Sequence, residues 1–304
     1  MNLRWKPTTT PDERAFECHK RSIDAGATLI NNPFASLKLL GRFFARYPEY
    51  VDKVLLIVKG GIDVKTLAAD ASPEFIRASV LNINKQLGDH KKMDVCECSR
   101  VDKDVPIEDT MRLLLTLRDE GHFKYIGLSE VSADTIRRAN EVAPITNVEV
   151  EYSLEALDIE RNGGLEACKE LSIPIVAYAL LCRGLLSGAI TTEFDIPEHD
   201  MRHIWEKFQG ENLKHNLKLV NEIKQVVDVK GVTPTKIAIA WLLHAWDSII
   251  PIPGSTRPEG VTEALKAAFI ELNEAELKQI RVILDQTPVV GRRYDERAEA
   301  ELSG

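Results

Sequence analysis

Nowhere in this chain do 18 apolar residues follow one another, so the sequence offers no membrane-spanning helix. Basicity is missing as well. With 47 acidic against 39 basic side chains the formal charge is −8, which argues against nucleic acid or an anionic membrane held through general basicity. The five cysteines are an odd number, which speaks against a disulfide framework. In Cys96-Glu97-Cys98 the period of two places both thiols on one face of a strand, yet no second ligand pair follows; buried thiols are expected, and no metal site. No Gly-x-Gly-x-x-Gly follows a strand, so a doubly wound dinucleotide fold loses its main support. Internal repeats and low-complexity tracts are absent. The stretch MNLRWKPTTTPDERAF has no apolar core of the kind a signal peptide needs, and a cytoplasmic protein is the default reading.

What the chain does have is alternation. At 304 residues, 44% of them hydrophobic, it can bury a large core, and one domain over 1–304 is the reading adopted. Short runs rich in β-branched residues, bounded by Gly, Pro, Asp or Asn, predict strands at 27–30, 54–58, 93–98, 125–128, 147–150, 174–178 and 249–252. Helical patterns fall between them at 11–25, 33–46, 73–87, 107–120, 133–142, 164–171, 213–230 and 234–245. Two of these starts carry cap chemistry, Ser72 before Pro73 and Ser132 before Ala133-Asp134. Strand followed by helix, repeated, implies a parallel sheet with helices outside it, and a (β/α)8 barrel of the TIM type is favoured. Such a barrel needs eight strands. The polar, proline-containing MNLRWKPTTT is not strand-like, so an absent or incomplete first strand is expected. Residues 191–209 predict a long loop in which His199 and His203, four apart, lack a third ligand and read as solvated.

One segment poses a chemical question: Val54-Leu55-Leu56-Ile57-Val58 runs straight into Lys59-Gly60-Gly61, so that a buried strand ends on an amine. Together with GLSEVS (127–132), VEVEYSL (148–154), IPIVAYALLCRGLLSG (173–188) and IPIPGSTRPEGVTEAL (250–265), this stretch resembles the aldo-keto reductase family over nearly the whole length. VKGG, VEVEYSL, CSRVDKDVPIEDT and GRRYDER are most similar to the fungal pyridoxal reductase branch. The resemblance implies NADPH-dependent reduction of a small-molecule aldehyde, pyridoxal to pyridoxine being the obvious candidate. It implies that Lys59 is the active-site lysine and that Ser129 and Glu149 face the nicotinamide amide. Tyr178 would stack on the nicotinamide ring. Arg183, Gly184 and Leu185, with Gly254, Ser255 and Thr256, would line the cofactor, Arg257 would fork onto a 2′-phosphate, and Glu263 would meet the adenine.

The same resemblance marks departures. In the family a Tyr, and an Asp that pairs with the lysine, follow the second strand; here GATLI passes directly into NNPFASLKLL and neither residue is present. Asn31 and Asn32 cannot act as acids. Tyr47 and Tyr50 come next, at the end of a helix that a barrel places toward its opposite face. Ser99 stands where many relatives carry a histidine, Ala179-Leu180 replace a Ser-Pro, Gly260 a basic residue and Ala264 an asparagine. Each lost polar contact would be worth about 1–3 kcal/mol. The alternative to a working reductase is therefore a catalytically silent NADPH-binding or scaffold protein, or an incomplete copy.

Overall fold

The computed structural model describes residues 9–32, 36–63 and 68–294, together with 296, 299 and 302. Seven strands form one parallel sheet in sequence order: β1 (Leu29–Asn32), β2 (Leu55–Gly60), β3 (Val95–Cys98), β4 (Tyr125–Ser129), β5 (Ile145–Glu151), β6 (Ile175–Tyr178) and β7 (Ile249–Pro251). All seven predicted strands are present. The sheet is the curled wall of a (β/α)8-type barrel, in which β1 pairs only with β2 and β7 only with β6 among the described residues. Residues 1–8, on which the expectation for the first strand mostly rests, lie outside the described ones, as do 33–35 at the predicted helix start.

The helices run outside the sheet. They are α1 (Asp12–Asp24), α2 (Leu37–Arg46), α3 (Pro73–Leu87), α4 (Ile107–Asp119), α5 (Ala133–Val142), α6 (Asp158–Arg161), α7 (Gly164–Glu170), α8 (Gly210–Lys230), α9 (Pro234–Ala245), α10 (Pro258–Leu265) and α11 (Glu274–Gln286). Each buries one apolar stripe; in α2 this is Leu37, Leu39, Leu40, Phe43 and Phe44. Across the seam between β1 and β7, α1 packs against α10, so the helical layer continues where the sheet does not. Cap chemistry is borne out at one of the two predicted starts. Ser132 accepts from the N–H of Thr135, whereas Ser72, at the N-cap with Pro73 following, makes no side-chain cap, and its own N–H is bonded to Asp70. The 191–209 loop is a chain of short 3-10 turns, with His199 exposed and His203 bonded to the carbonyl of Pro197.

Inside the sheet, period two sorts side chains into layers. At the N-terminal end of the strands Ile57, Val95 and Val176 pack together with Leu29, Leu55, Ile250 and Ile252 around them. Burial of each such side chain contributes about 1.5–3 kcal/mol. The next inward positions toward the C-terminal ends are polar. The register pairs Lys59 with Glu97, Glu97 with Gly127 and Gly127 with Asn147, carrying one polar row around four strands. Gly127 is required in that row: a Cβ there would lie 2.7 Å from Asn147 Oδ1. The five cysteines are buried and unpaired, and no cluster of metal-binding side chains occurs among the described residues.

Candidate active site

Lys59 stands at the penultimate position of β2, partly buried between the buried Val58 and Gly60. Its Nζ lies 2.9 Å from Ser129 Oγ, 2.9 Å from Glu149 Oε1 and 2.9 Å from Glu97 Oε1. The lysine side chain is 16% exposed; those of Glu97 and Glu149 are 0% and 4% exposed. Lys59 is thus the member of the cluster that reaches open space. Glu149 also accepts a short hydrogen bond from Asn31 Nδ2, and Glu97 Oε2 accepts from Asn147 Nδ2 at 2.8 Å. Burial works against the lysine's charge, but the facing carboxylates, Glu149 and then Glu97, hold its pKa above the usual value. Burial and the neighbouring Glu149 push the Glu97 carboxyl up to about 8.

A second network adjoins this cluster through Tyr178. Tyr178, on the last residue of β6, places its ring 5.8 Å from Lys59 Nζ and donates its hydroxyl to Glu130 Oε1 at 2.7 Å. Glu130 sits directly after β4 with φ +53°, a left-handed conformation uncommon outside glycine. Its other oxygen takes Arg293 at 3.1 Å, and its Oε1 also accepts the N–H of Glu151. Tyr294 touches the Tyr178 hydroxyl at 2.8 Å. Arg183 binds Glu151 at 2.6 Å, with its guanidinium 4.6 Å from the Trp205 ring and 4.7 Å from that of Tyr294. Glu151, buried, is kept below the usual carboxylate range although burial opposes this, because Arg183, Lys207 and Arg293 all face it.

The predicted residues therefore fall into two groups. Lys59, Ser129, Glu149 and Tyr178 meet in one cluster, and Arg183, Gly184 and Leu185 form the adjoining turn, in which Arg183 and Gly184 are left-handed. Ser99 is buried, with no partner for its hydroxyl among the described residues, its carbonyl held by Arg100. Gly254, Ser255, Thr256 and Arg257 lie apart, on the loop after β7, and Glu263 lies on α10. There Ser255 Oγ bridges the carbonyl and the N–H of Arg257, folding the loop tightly onto the helix start. The exposed guanidinium of Arg257 makes no ion pair among the described residues. Gly260 has a steric reason: a Cβ there would stand 2.5 Å from Ser255 Oγ, so the residue is what allows this tight loop.

Five contributors were not singled out from the sequence: Glu97, Glu130, Glu151, Arg293 and Tyr294. Their signal was present in part. Glu97 stands two before Ser99 and Glu151 two after Glu149, which in a strand means the same face. Tyr50 gives its hydroxyl to Asp24 and Tyr47 packs on Phe16 and Phe43, away from the mouth. Among the described residues no tyrosine hydroxyl is bonded to Lys59.

The model of the aldo/keto reductase family matches residues 1–285. The chain belongs to the aldo/keto reductase family. It is 38% identical to a protein named probable pyridoxal reductase 2 from Schizosaccharomyces pombe, over 100% of this chain and 95% of that one. A second relative from the same organism, aldo-keto reductase yakc, whose name carries NADP(+), is 36% identical over 99% of this chain and 91% of its own length. Among solved structures, the glycerol dehydrogenase AKR11B4 from Gluconobacter oxydans superposes with a TM-score of 0.81 at 24% identity, covering 95% of this chain and 90% of that one, which shows the shared fold. Family membership makes the chain a reductase of small carbonyl compounds linked to NAD(P)H. None of its helices is long and apolar enough to cross a membrane among the described residues.

Proposed function

We propose that this aldo/keto reductase reduces an aldehyde with NADPH as the electron source, with pyridoxal as its substrate and pyridoxine as product. The observation that carries the reading is the buried Lys59 ammonium, fixed by three partners at the C-terminal ends of the strands and facing the Tyr178 ring. An ammonium there stabilises negative charge developing on a carbonyl oxygen, in a site from which the surrounding strands exclude water. The cofactor supplies hydride when bound. The residues that would hold it are the Tyr178 face, Ser129 and Glu149 at the amide end, the Arg183–Gly184–Leu185 turn, and Gly254, Ser255, Thr256 and Arg257 at the phosphate end, with Glu263 toward the adenine. The fit at the phosphate end rests on the exposed Arg257, which has no counter-ion of its own among the described residues. The 38% identical relative whose name contains pyridoxal reductase supports the choice of substrate.

A second reading has an observation of its own: the absence of a tyrosine hydroxyl bonded to Lys59 among the described residues favours a silent NADPH-binding protein. NADPH oxidation followed by absorbance, with pyridoxal and the purified chain, separates the two. Turnover well above a Lys59→Met control is expected. Turnover equal to that control, with NADPH still bound, establishes the silent binder.

A further inference from the structure

Asn31 cannot act as an acid, but it can donate. It is the third residue of β1 and pairs with Ile57, so it shares the inner face of the sheet with that residue and with Leu29. From there its Nδ2 donates to Glu149 Oε2. In the sheet β5 is separated from β1 by β2, β3 and β4, so this bond crosses the barrel interior. A carboxylate only accepts, which fixes the amide with its nitrogen toward Glu149.

Glu149 turns its other oxygen, Oε1, onto Lys59 Nζ at 2.9 Å, and Glu97 Oε1 meets the same ammonium at 2.9 Å. Glu97 Oε2 in turn accepts from Asn147 Nδ2 at 2.8 Å. Each carboxylate facing the ammonium is therefore held through its second oxygen by a neutral amide. Neutrality matters here. An acid in place of Asn31 would repel Glu149, and a cation would compete with Lys59 for it; an amide fixes the carboxylate and leaves its charge to Lys59. Arg100, partly buried beyond β3, also acts on Glu149, but only through its field: it makes no ion pair among the described residues and donates to the carbonyl of Ser99.

We propose that Asn31 is a positioning residue of the reduction, which holds Glu149 so that the Lys59 ammonium is fixed toward a bound carbonyl oxygen. The role in reduction rests on the function proposed above. Asn31 acts through Glu149 and touches neither the carbonyl nor the nicotinamide. Without its N–H, Glu149 Oε2 loses its donor and the carboxylate is free to turn. Lys59 is then drawn toward Glu97 and Ser129, its remaining partners.

Nitrogen-15 NMR of the lysine ammonium groups in the full chain tests the positioning without any turnover. Wild type is expected to show a slowly exchanging ammonium resonance that Lys59→Met lacks, because three partners hold that group away from water. Asn31→Ala is expected to lose it. Asn31→Asp, of nearly the same shape, exchanges the donor for a charge against Glu149 and is expected to lose it too. Adding Glu149→Gln to Asn31→Asp reverses donor and acceptor across the barrel at unchanged net charge, and is expected to return the resonance. In turnover with pyridoxal, Asn31→Ala lowers kcat about 10- to 100-fold, with KM and NADPH affinity little changed, and the reversed pair recovers most of the loss seen in Asn31→Asp. Should Asn31→Ala fail to fold, Asn31→Asp and the reversed pair carry the same comparison. A tie that merely holds β1 in place would lower the denaturation midpoint of Asn31→Ala and leave its resonance and kcat as in wild type, which overturns the proposal. A reversed pair no better than Asn31→Asp alone, or a wild type without the resonance, also overturns it. The expected resonances in a chain that reduces no carbonyl count against the reduction reading and leave the positioning of Lys59 by Asn31 in place.

Discussion

The two cations that bracket the proposed cofactor track of this barrel sit in opposite surroundings. Lys59 is buried, held by three partners and faced by two carboxylates. Arg257 is exposed on the loop after β7 and has no carboxylate against it among the described residues. The first end is saturated with negative charge before any ligand arrives, so it gains nothing from an anion and is suited to hold or move a proton. The second end lacks a counter-ion, so a phosphate would satisfy it without displacing anything. Under the proposed function the difference separates chemistry from recognition along a single site, and it gives each end a distinct way to fail.

The sharpest break is Lys59→Met. It removes the ammonium that lies 2.9 Å from both Glu97 and Glu149 and leaves the buried Glu97 carboxyl without that partner. Loss of one partner from a buried ion pair costs about 3–5 kcal/mol, and chemical denaturation at pH 7 is expected to show a destabilisation of that size. Adding Glu97→Gln to Lys59→Met is expected to return part of it, since one fewer acid needs a proton. The pH dependence follows from the direction of the Glu97 shift. Its folded-state value is raised to about 8 from an ordinary value near 4.5, so the stability it contributes is complete below the unfolded value and is lost as the pH rises through 8. Over that window the wild type loses up to about 1.4 kcal/mol per pH unit, a slope absent from Glu97→Gln. Equal slopes in the two proteins would show that the Glu97 carboxyl titrates at its ordinary value.

Arg257→Met addresses the other end and is a smaller effect. Hydrogen bonds to a charged group are worth about 1.5–3 kcal/mol, so NADPH affinity is expected to fall about 10- to 100-fold, with NADH affinity and folding stability nearly unchanged. Fluorescence titration with both dinucleotides reads the ratio directly. If both affinities fell together, Arg257 would be shaping the loop, and the contrast between the two ends would lose its chemical basis.

How much of this could be read beforehand depends on which physical signal a residue leaves. The strands were legible because apolar β-branched runs bounded by turn residues have few other uses, and Lys59 stood out because a charge ends such a run. The Ser132 cap was legible for its local chemistry; Ser72 takes the N-cap position by the same rule but makes no side-chain bond there. Glu97 was hidden by its neighbours: in Cys96-Glu97-Cys98 the thiols draw attention to the outer face, whereas the glutamate occupies the inner one. Glu130 gave no periodic signal, since it stands after its strand in a left-handed conformation that only the folded backbone reveals. Tyr294 and Arg293 reach the mouth from more than 100 residues away in sequence from Tyr178 and Glu130, and no local pattern reports such a contact. Gly260 was legible only as a missing basic residue, and its reason is a side chain five positions earlier.

The smallest expected effect tests how the crowded end is closed. Tyr294 contributes two separable things: a hydroxyl on that of Tyr178 at 2.8 Å, and a ring face 4.7 Å from the Arg183 guanidinium. Tyr294→Phe removes only the first, and Tyr178 keeps its bond to Glu130, so no buried hydroxyl is left without a partner. A net cost of about 1 kcal/mol or less is expected. Tyr294→Ala also removes the ring from Arg183, which retains Trp205 on its other side, and adds about 0.5–2 kcal/mol. Urea denaturation of the two variants, compared at one pH, separates the contributions. Equal destabilisation would mean that the ring carries nothing, and that the mouth is held by the Arg183–Glu151 and Arg293–Glu130 ion pairs with the tyrosine merely resting on them.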